Sequence, residues 1–133
     1  MMYYLKVYLA ALVGFLAIDM VWLVIVARGF YRKQLGFLLS DQPNWWAAFA
    51  FYLLFVAGLL VFAVFPGLQA NSLRKAMLLG CFFGLVTYAT YDLTNLATVK
   101  NWPLLVTIVD MAWGSVLATA VSCIGYQAGT WLR

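Results

Sequence analysis

The sequence has 133 residues, of which 67% are hydrophobic and only 9% are charged, and its mean hydropathy is +0.97. Because a soluble domain carries about a quarter charged residues, this composition excludes an ordinary soluble protein and predicts an integral membrane protein. The net charge of +4 does not indicate a nucleic-acid partner. The basic residues lie singly or in pairs at the ends of apolar runs, where the flanking charges of membrane spans fall.

Four apolar runs are long enough to cross a bilayer, which needs about 20 residues in a helix. They predict an all-α fold, a four-helix transmembrane bundle in a single integral membrane domain (residues 1–133), with both termini on one side. The predicted spans are about 3–27, 45–65, 73–98 and 103–127. We expect Pro66-Gly67 to stop the second span and Pro103 to occupy the first turn of the fourth, where its missing N–H costs least.

The segment between the first two spans, residues 28–44, is too polar to cross a membrane and too apolar for a plain loop. Tyr31, Leu35, Leu38 and Leu39 fall on one helical face. This pattern predicts a short amphipathic helix in the interface between spans 1 and 2. An irregular loop is the alternative interpretation.

Lysine and arginine residues near the span ends divide four against four between the two sides. Because the positive-inside rule counts these residues, it does not set the orientation here. We expect cytoplasmic termini, and insertion in both orientations stays open.

Three of the four acids, Asp19, Asp92 and Asp110, lie inside apolar runs. Counted from the nearest predicted span ends, all three lie roughly 9–12 Å inside the membrane edge opposite the termini. Carboxylates at such depths face protein or water rather than lipid. We therefore expect the three aspartates to converge.

Other polar and aromatic side chains follow the same layer. The end of the third span is unusually polar, and Tyr88, Asp92 and Asn95 share one helical face there. A tryptophan follows Asp19 and Asp110 at i+3, which would place an indole beside each carboxylate. The predicted polar site, for a proton, a cation or a substrate, comprises Asp19, Trp22, Tyr88, Tyr91, Asp92, Thr94, Asn95, Thr107, Asp110 and Trp113.

No lysine or arginine lies in the spans at the depth of these acids to neutralise them, and the chain has no histidine. Protons, a bound cation or hydrogen bonds must therefore handle the charge, and close carboxylates in a low dielectric hold on to a proton. No cofactor is predicted; a metal ion, if one binds, would be held by Asp19, Asp92 and Asp110. In the alternative, a polar core that only fixes helix register, Asp→Leu would destabilise the protein by leaving Asn95 without a partner.

The chain resembles a family of small, predicted bacterial membrane proteins known as a domain of unknown function. The strings that carry the resemblance are Asp19-x-x-Trp22, Tyr91-Asp92-Leu93-Thr94-Asn95-Leu96-Ala97-Thr98, Trp102-Pro103 and Asp110-x-x-Trp113-Gly114. The resemblance implies a multi-pass protein of the bacterial inner membrane and implies no activity. In size, span count and charge balance the chain is also similar to small multidrug transporters, but its first span contains no glutamate.

These observations leave three functions open. The first, which the sequence favours, is a small proton- or cation-coupled carrier, because intramembrane acids often serve as proton relays. The second is a membrane-embedded enzyme acting on a lipid or isoprenoid, with aspartates as general acid and base. The third is an accessory subunit of another membrane protein. The expected partners are the lipid bilayer, a second copy in a homodimer, and a lipid or small-molecule ligand. A lateral opening between spans at the aspartate layer would favour the lipid enzyme.

Overall fold

The computed structural model describes residues 1–133 and consists of four helices, each long and apolar enough to cross a membrane. No strand is present. The predicted all-helical, four-span fold is thus confirmed. The helices are α1 (Met2–Leu35), α2 (Trp45–Gln69), α3 (Leu73–Thr98) and α4 (Leu104–Trp131).

Side-chain caps mark the beginnings of α2 and α3. The Oδ1 of Asn44 accepts a hydrogen bond from the backbone N–H of Ala47 at 3.1 Å, and the Oγ of Ser72 accepts one from Lys75 at 3.0 Å. Each cap satisfies an amide donor that has no partner inside the helix. The two caps end the connections at residues 36–44 and 70–72, which lie at the ends of the bundle.

The first helix is longer than its predicted span. Residues 28–35 are helical, but they continue α1 and do not form a separate interfacial helix. No proline interrupts the chain before Arg28, and the residues Trp22–Ala27 form a π-helical segment within α1. The apolar face of the extension covers protein: Leu35 is buried in a small cluster with Trp102 and Val106. This packing stabilises the extension in line with the rest of α1.

The second helix also continues past its predicted stop. Pro66 cannot donate a backbone hydrogen bond, and a π-helical segment (Leu60–Val64) precedes it, in which the N–H of Phe65 bonds to the carbonyl of Leu60. Gly67 permits a contact and does not end the helix, because a Cβ there would lie 2.5 Å from the Cβ of Ala76. The Pro-Gly pair therefore brings α2 against the start of α3.

The main core fills the half of the bundle that holds both chain termini. Its buried members are Val7, Ala11, Phe15, Phe55, Val56, Leu59, Leu60, Ala63, Val64, Leu68, Leu117, Ala118 and Val121. The Tyr3 hydroxyl donates to the carbonyl of Gly129 at 2.7 Å, and Arg133 donates to that of Leu68 at 2.8 Å. These bonds place both termini and the α2–α3 connection at the same end.

Small residues bring α3 and α4 into the closest contact in the bundle. A Cβ added to Gly84 would lie 2.3 Å from the carbonyl oxygen of Gly114 and 2.6 Å from the Cβ of Ala118. Such approach is typical of membrane helices, which associate through packing rather than the hydrophobic effect. The α3–α4 pair is therefore the most closely packed pair of the bundle, and we call it the α3–α4 wall.

Candidate functional site

The centre of the site is a pair of carboxyl groups on this α3–α4 wall. Asp92 is completely buried, with 0% of its surface exposed, and neither of its carboxyl oxygens has a hydrogen-bond donor. Its carboxyl group lies close to the carboxyl of Asp110. Two carboxylates cannot donate to each other, so this contact becomes a hydrogen bond only when the pair holds a proton.

Tyr31 completes the pair from the extension of α1. Its hydroxyl donates to the Oδ1 of Asp110 at 2.7 Å. The sequence-based reasoning placed Tyr31 on an interfacial helix and missed this contact. A π-helical turn holds more residues than an α-helical one, so the segment Trp22–Ala27 rotates Tyr31 relative to Asp19 in a way that α-helical spacing does not anticipate. The only indication in the sequence was a tyrosine twelve residues after Asp19, in a segment that could continue the first helix.

Asp19 reaches the same region from α1, together with two tryptophans. The indole N–H of Trp113 donates to the Oδ1 of Asp19 at 3.4 Å, a long hydrogen bond. The rings of Trp22 and Trp113 are stacked, with centroids 4.2 Å apart and planes 7° from parallel. The repeated Asp-x-x-Trp string therefore works across helices: Trp113 contacts Asp19 and not the preceding Asp110.

These groups line two neighbouring cavities. The inner cavity, of about 280 Å³, is lined by Asp19, Trp22, Leu23, Tyr31, Ala48, Phe51, Tyr52, Tyr88, Asp110 and Trp113. The second, which we call the lateral cleft, has a volume of about 420 Å³ and is lined by Phe51, Thr87, Tyr88, Tyr91 and Asp110. Phe51, Tyr88 and Asp110 belong to both, so the cleft and the inner cavity adjoin at the carboxyl pair.

The lateral cleft lies between α2 and α3. The backbone of residues 45–59 of α2 lies near α1 and away from α3, and Phe55 reaches α3 only through its ring, whereas residues 60–69 pack closely on α3. The two helices thus diverge toward the end opposite the termini. Phe51 and Tyr91, one on each side of the gap, are 43% and 56% exposed, so the cleft opens on the outer surface of the bundle between α2 and α3.

Tyr88 forms the floor of both cavities. Its ring lies against Gly114, where an added Cβ would come within 2.2 Å of the ring. Phe55 contacts the ring edge-on, with centroids 6.1 Å apart. Glycine at position 114 is therefore needed for the tyrosine to lie flat on α4, beside Asp110.

The other predicted site residues lie at its margin or outside it. The Trp102 indole donates to the buried hydroxyl of Thr107 at 3.1 Å and its ring packs edge-on against Tyr91, so Thr107 supports the cleft wall indirectly. Asn95 is half-buried, within hydrogen-bonding reach of Tyr91. Thr94 is exposed, and its hydroxyl donates to the carbonyls of Thr90 and Tyr91 in its own helix, away from the carboxyl groups.

Asp19, Asp92 and Asp110 are the predicted ligands of any bound metal ion. No group of three or more acidic, cysteine or histidine side chains is close enough to hold a metal ion. Asp92 and Asp110 lie close together, and Asp19 shares only the lining of the inner cavity with Asp110. The two cysteines, Cys81 and Cys123, are unpaired and lie outside both cavities. Cation binding by the three aspartates stays a prediction, without a preformed three-ligand site.

Comparison with known proteins identifies a family and no activity. Neither a curated protein nor a solved structure matches the chain. One family model, described as a predicted membrane protein (DUF2177), matches residues 4–127, which is nearly the whole chain and includes all of the carboxyl and aromatic groups of the site. The protein belongs to the DUF2177 family of predicted membrane proteins.

Proposed function

We propose that the protein is a membrane-embedded enzyme that carries out acid–base chemistry on a lipid or isoprenoid. The observation that carries this proposal is the position of the lateral cleft, which leads sideways from the lipid-facing surface to Asp110 between α2 and α3. A water-soluble substrate needs no such entrance. A molecule dissolved in the bilayer does.

The lining of the cleft suits an apolar chain with one reactive group. Its volume of about 420 Å³ falls in the range of ligand pockets, roughly 300–1,000 Å³, which are mostly apolar with a few convergent polar groups. Aromatic rings supply the walls, and Asp110 and Thr87 are the polar lining groups. An acyl or isoprenoid segment would lie along Phe51 and Tyr88 with its reactive carbon near Asp110.

The carboxyl pair divides the acid–base roles by burial. Asp92, sealed from solvent and without a base, holds the proton of the pair and donates a hydrogen bond to Asp110. Asp110 also accepts a hydrogen bond from the Tyr31 hydroxyl and lines the cleft, so it acts as the general base toward the ligand. A pair of carboxyl groups in unlike environments is a common arrangement for acid–base catalysis. Asp19, in the inner cavity, is placed to return a proton.

A proton-coupled carrier is the second candidate, favoured by a different observation. The cavities that contain the carboxyl groups lie in one half of the bundle, and a continuous apolar core fills the other, which is the form of one state in an alternating-access cycle. The carboxyl pair would then exchange protons with the two sides of the membrane in turn. The enzyme and the carrier differ in what changes: the lipid in one case, and the position of protons and cargo in the other.

The test uses vesicles made from total bacterial lipid in deuterated water, with and without the protein. The enzyme predicts that one lipid class changes mass, through bound deuterium or a new product, and that Asp110→Asn abolishes the change. Asp41→Asn, which removes an exposed loop carboxylate, is the matched control and should behave as wild type. If lipids stay unchanged while a pH-sensitive dye inside the vesicles reports proton flux dependent on Asp110, the carrier replaces the enzyme.

A further inference from the structure

Two arginines line a third cavity, just outside the aspartate region. This arginine cavity has a volume of about 350 Å³ and is lined by Leu23, Ala27, Arg28, Tyr31, Arg32 and Leu39. Arg28 and Arg32 are one helical turn apart on α1, so their side chains lie on the same face. Two guanidinium groups therefore converge on one concave surface.

The arginine cavity adjoins the aspartate region through shared walls. Leu23 and Tyr31 line both it and the inner cavity, and the Tyr31 hydroxyl bonds to Asp110. Arg28 follows Asp19 by nine positions in α1, a helical rise of roughly 13 Å. If the carboxyl pair lies at the depth of the lipid acyl chains, this rise places the two arginines at the depth of the lipid head groups.

Neither guanidinium of this pair is neutralised within the chain. Arg133 is the arginine whose guanidinium donates hydrogen bonds in the structure, and it lies at the other end of the bundle. Asp41 lines a neighbouring cavity with Arg32 but forms no hydrogen bond to it, and no acid lines the arginine cavity itself. Like charges one helical turn apart destabilise a helix, and an anion held between them would relieve this repulsion.

We propose that the arginine cavity binds the anionic head group of the amphiphile whose chain enters the aspartate region. This inference rests on the proposed function and narrows its substrate class from any lipid to one with a phosphate or carboxylate head group. Guanidinium groups suit both anions, because their planar donors match pairs of oxygens. With the head group held at Arg28 and Arg32, the chain passes Leu23 and Tyr31 on its way to Asp110.

Native mass spectrometry of the purified protein tests the proposal with four defined probes. Phosphatidylglycerol is compared with phosphatidylcholine of the same acyl chains, and oleate with oleyl alcohol. We expect the wild type to retain the anionic member of each pair preferentially. The ratio of phosphatidylglycerol to oleate retention tells which anion is the better ligand. A basic residue near an anionic lipid surface contributes about a five-fold gain in affinity, so Arg28→Gln/Arg32→Gln should retain anionic probes about thirty-fold more weakly.

The matched control is Lys33→Gln/Lys100→Gln. It removes the same charge at the same end of the bundle, from exposed lysines that line none of the three cavities, and should bind as wild type. Equal retention of charged and neutral probes by wild type overturns the head-group site, as does equal loss in both double variants. The proposed function survives that result if bound neutral lipid still depends on the cleft and is lost on Phe51→Ala. Retention of no probe overturns both.

Discussion

The two ends of this bundle are built from the same kinds of residue but packed in opposite ways. At the end that holds the termini, the closed half, glycines and small side chains let the helices touch, and the apolar core is continuous. At the other end, the open half, aromatic rings and carboxyl groups line cavities, and α2 stands away from α3. The closed half is optimised for packing; the open half keeps buried polar groups that packing alone would exclude.

The closed half should be the more sensitive to added volume. Gly84→Val is expected to cost about 3 kcal/mol, at the upper end of overpacking effects, since even a Cβ would lie 2.3 Å from a backbone oxygen of α4. Gly29→Ala, at an exposed position of α1 with open space around it, is the control and should leave stability equal or higher. Reversible unfolding in mixed micelles measures both. A tolerated Gly84→Val would mean that the closed half is not tightly packed.

The open half should gain stability when the buried carboxyl of Asp92 is removed. Asp92→Leu replaces a buried carboxyl whose oxygens accept no hydrogen bond, and we expect a gain of about 2 kcal/mol together with loss of activity. The alternative of a polar core that only fixes helix register predicts the opposite, because Leu would leave Asn95 without a partner; Asn95, however, forms no hydrogen bond to Asp92. The same unfolding assay decides the sign, and a loss of stability would mean that Asp92 has a structural role.

Tyr31→Phe should separate positioning from packing in the open half. It removes the 2.7 Å hydrogen bond to Asp110 and keeps the ring, so stability should fall by about 1 kcal/mol. The activity in the lipid assay should fall further, and its pH profile should move, because the carboxyl pair loses the hydroxyl that donates to Asp110. An unchanged pH profile with reduced stability would reduce Tyr31 to a packing residue.

The smallest effect is expected at Thr94. Its hydroxyl donates within its own helix and is exposed, so Thr94→Val should change stability by less than about 0.5 kcal/mol and leave activity intact. Thermal unfolding and the lipid assay check this. A large loss of activity would place Thr94 in the site after all.

The features of this architecture that depend on composition and on position within a span could be predicted from the sequence. Apolar runs of spanning length predicted four helices, and counting from their ends placed Asp19, Asp92 and Asp110 in one layer. The features that depend on the geometry between helices could not be predicted. The π-helical segments change the phase and length of α1 and α2, so Tyr31 was missed. The lateral cleft exists because the first half of α2 packs on α1 instead of α3, a choice that no local pattern encodes.

Thr94 illustrates the opposite case, a residue that the sequence predicts for the site although its hydroxyl is bonded within its own helix. Its position beside Asp92 in a polar string predicted a site residue, but a threonine in a helix can satisfy its hydroxyl on the preceding turn, and Thr94 does so. Spacing identifies which face a residue shares. It does not say whether the side chain is already satisfied there.

The most direct test of the central claim, a buried carboxyl pair that holds a proton beside a lateral cleft, is infrared spectroscopy of the carboxyl groups in reconstituted protein at neutral pH. We predict a protonated-carboxyl band in the wild type, because Asp92 is 0% exposed and has no base. The band should be lost in Asp92→Asn, retained but shifted in Asp110→Asn, and unchanged in Asp41→Asn. A wild type without the band, or a band unaffected by Asp92→Asn, would contradict the account.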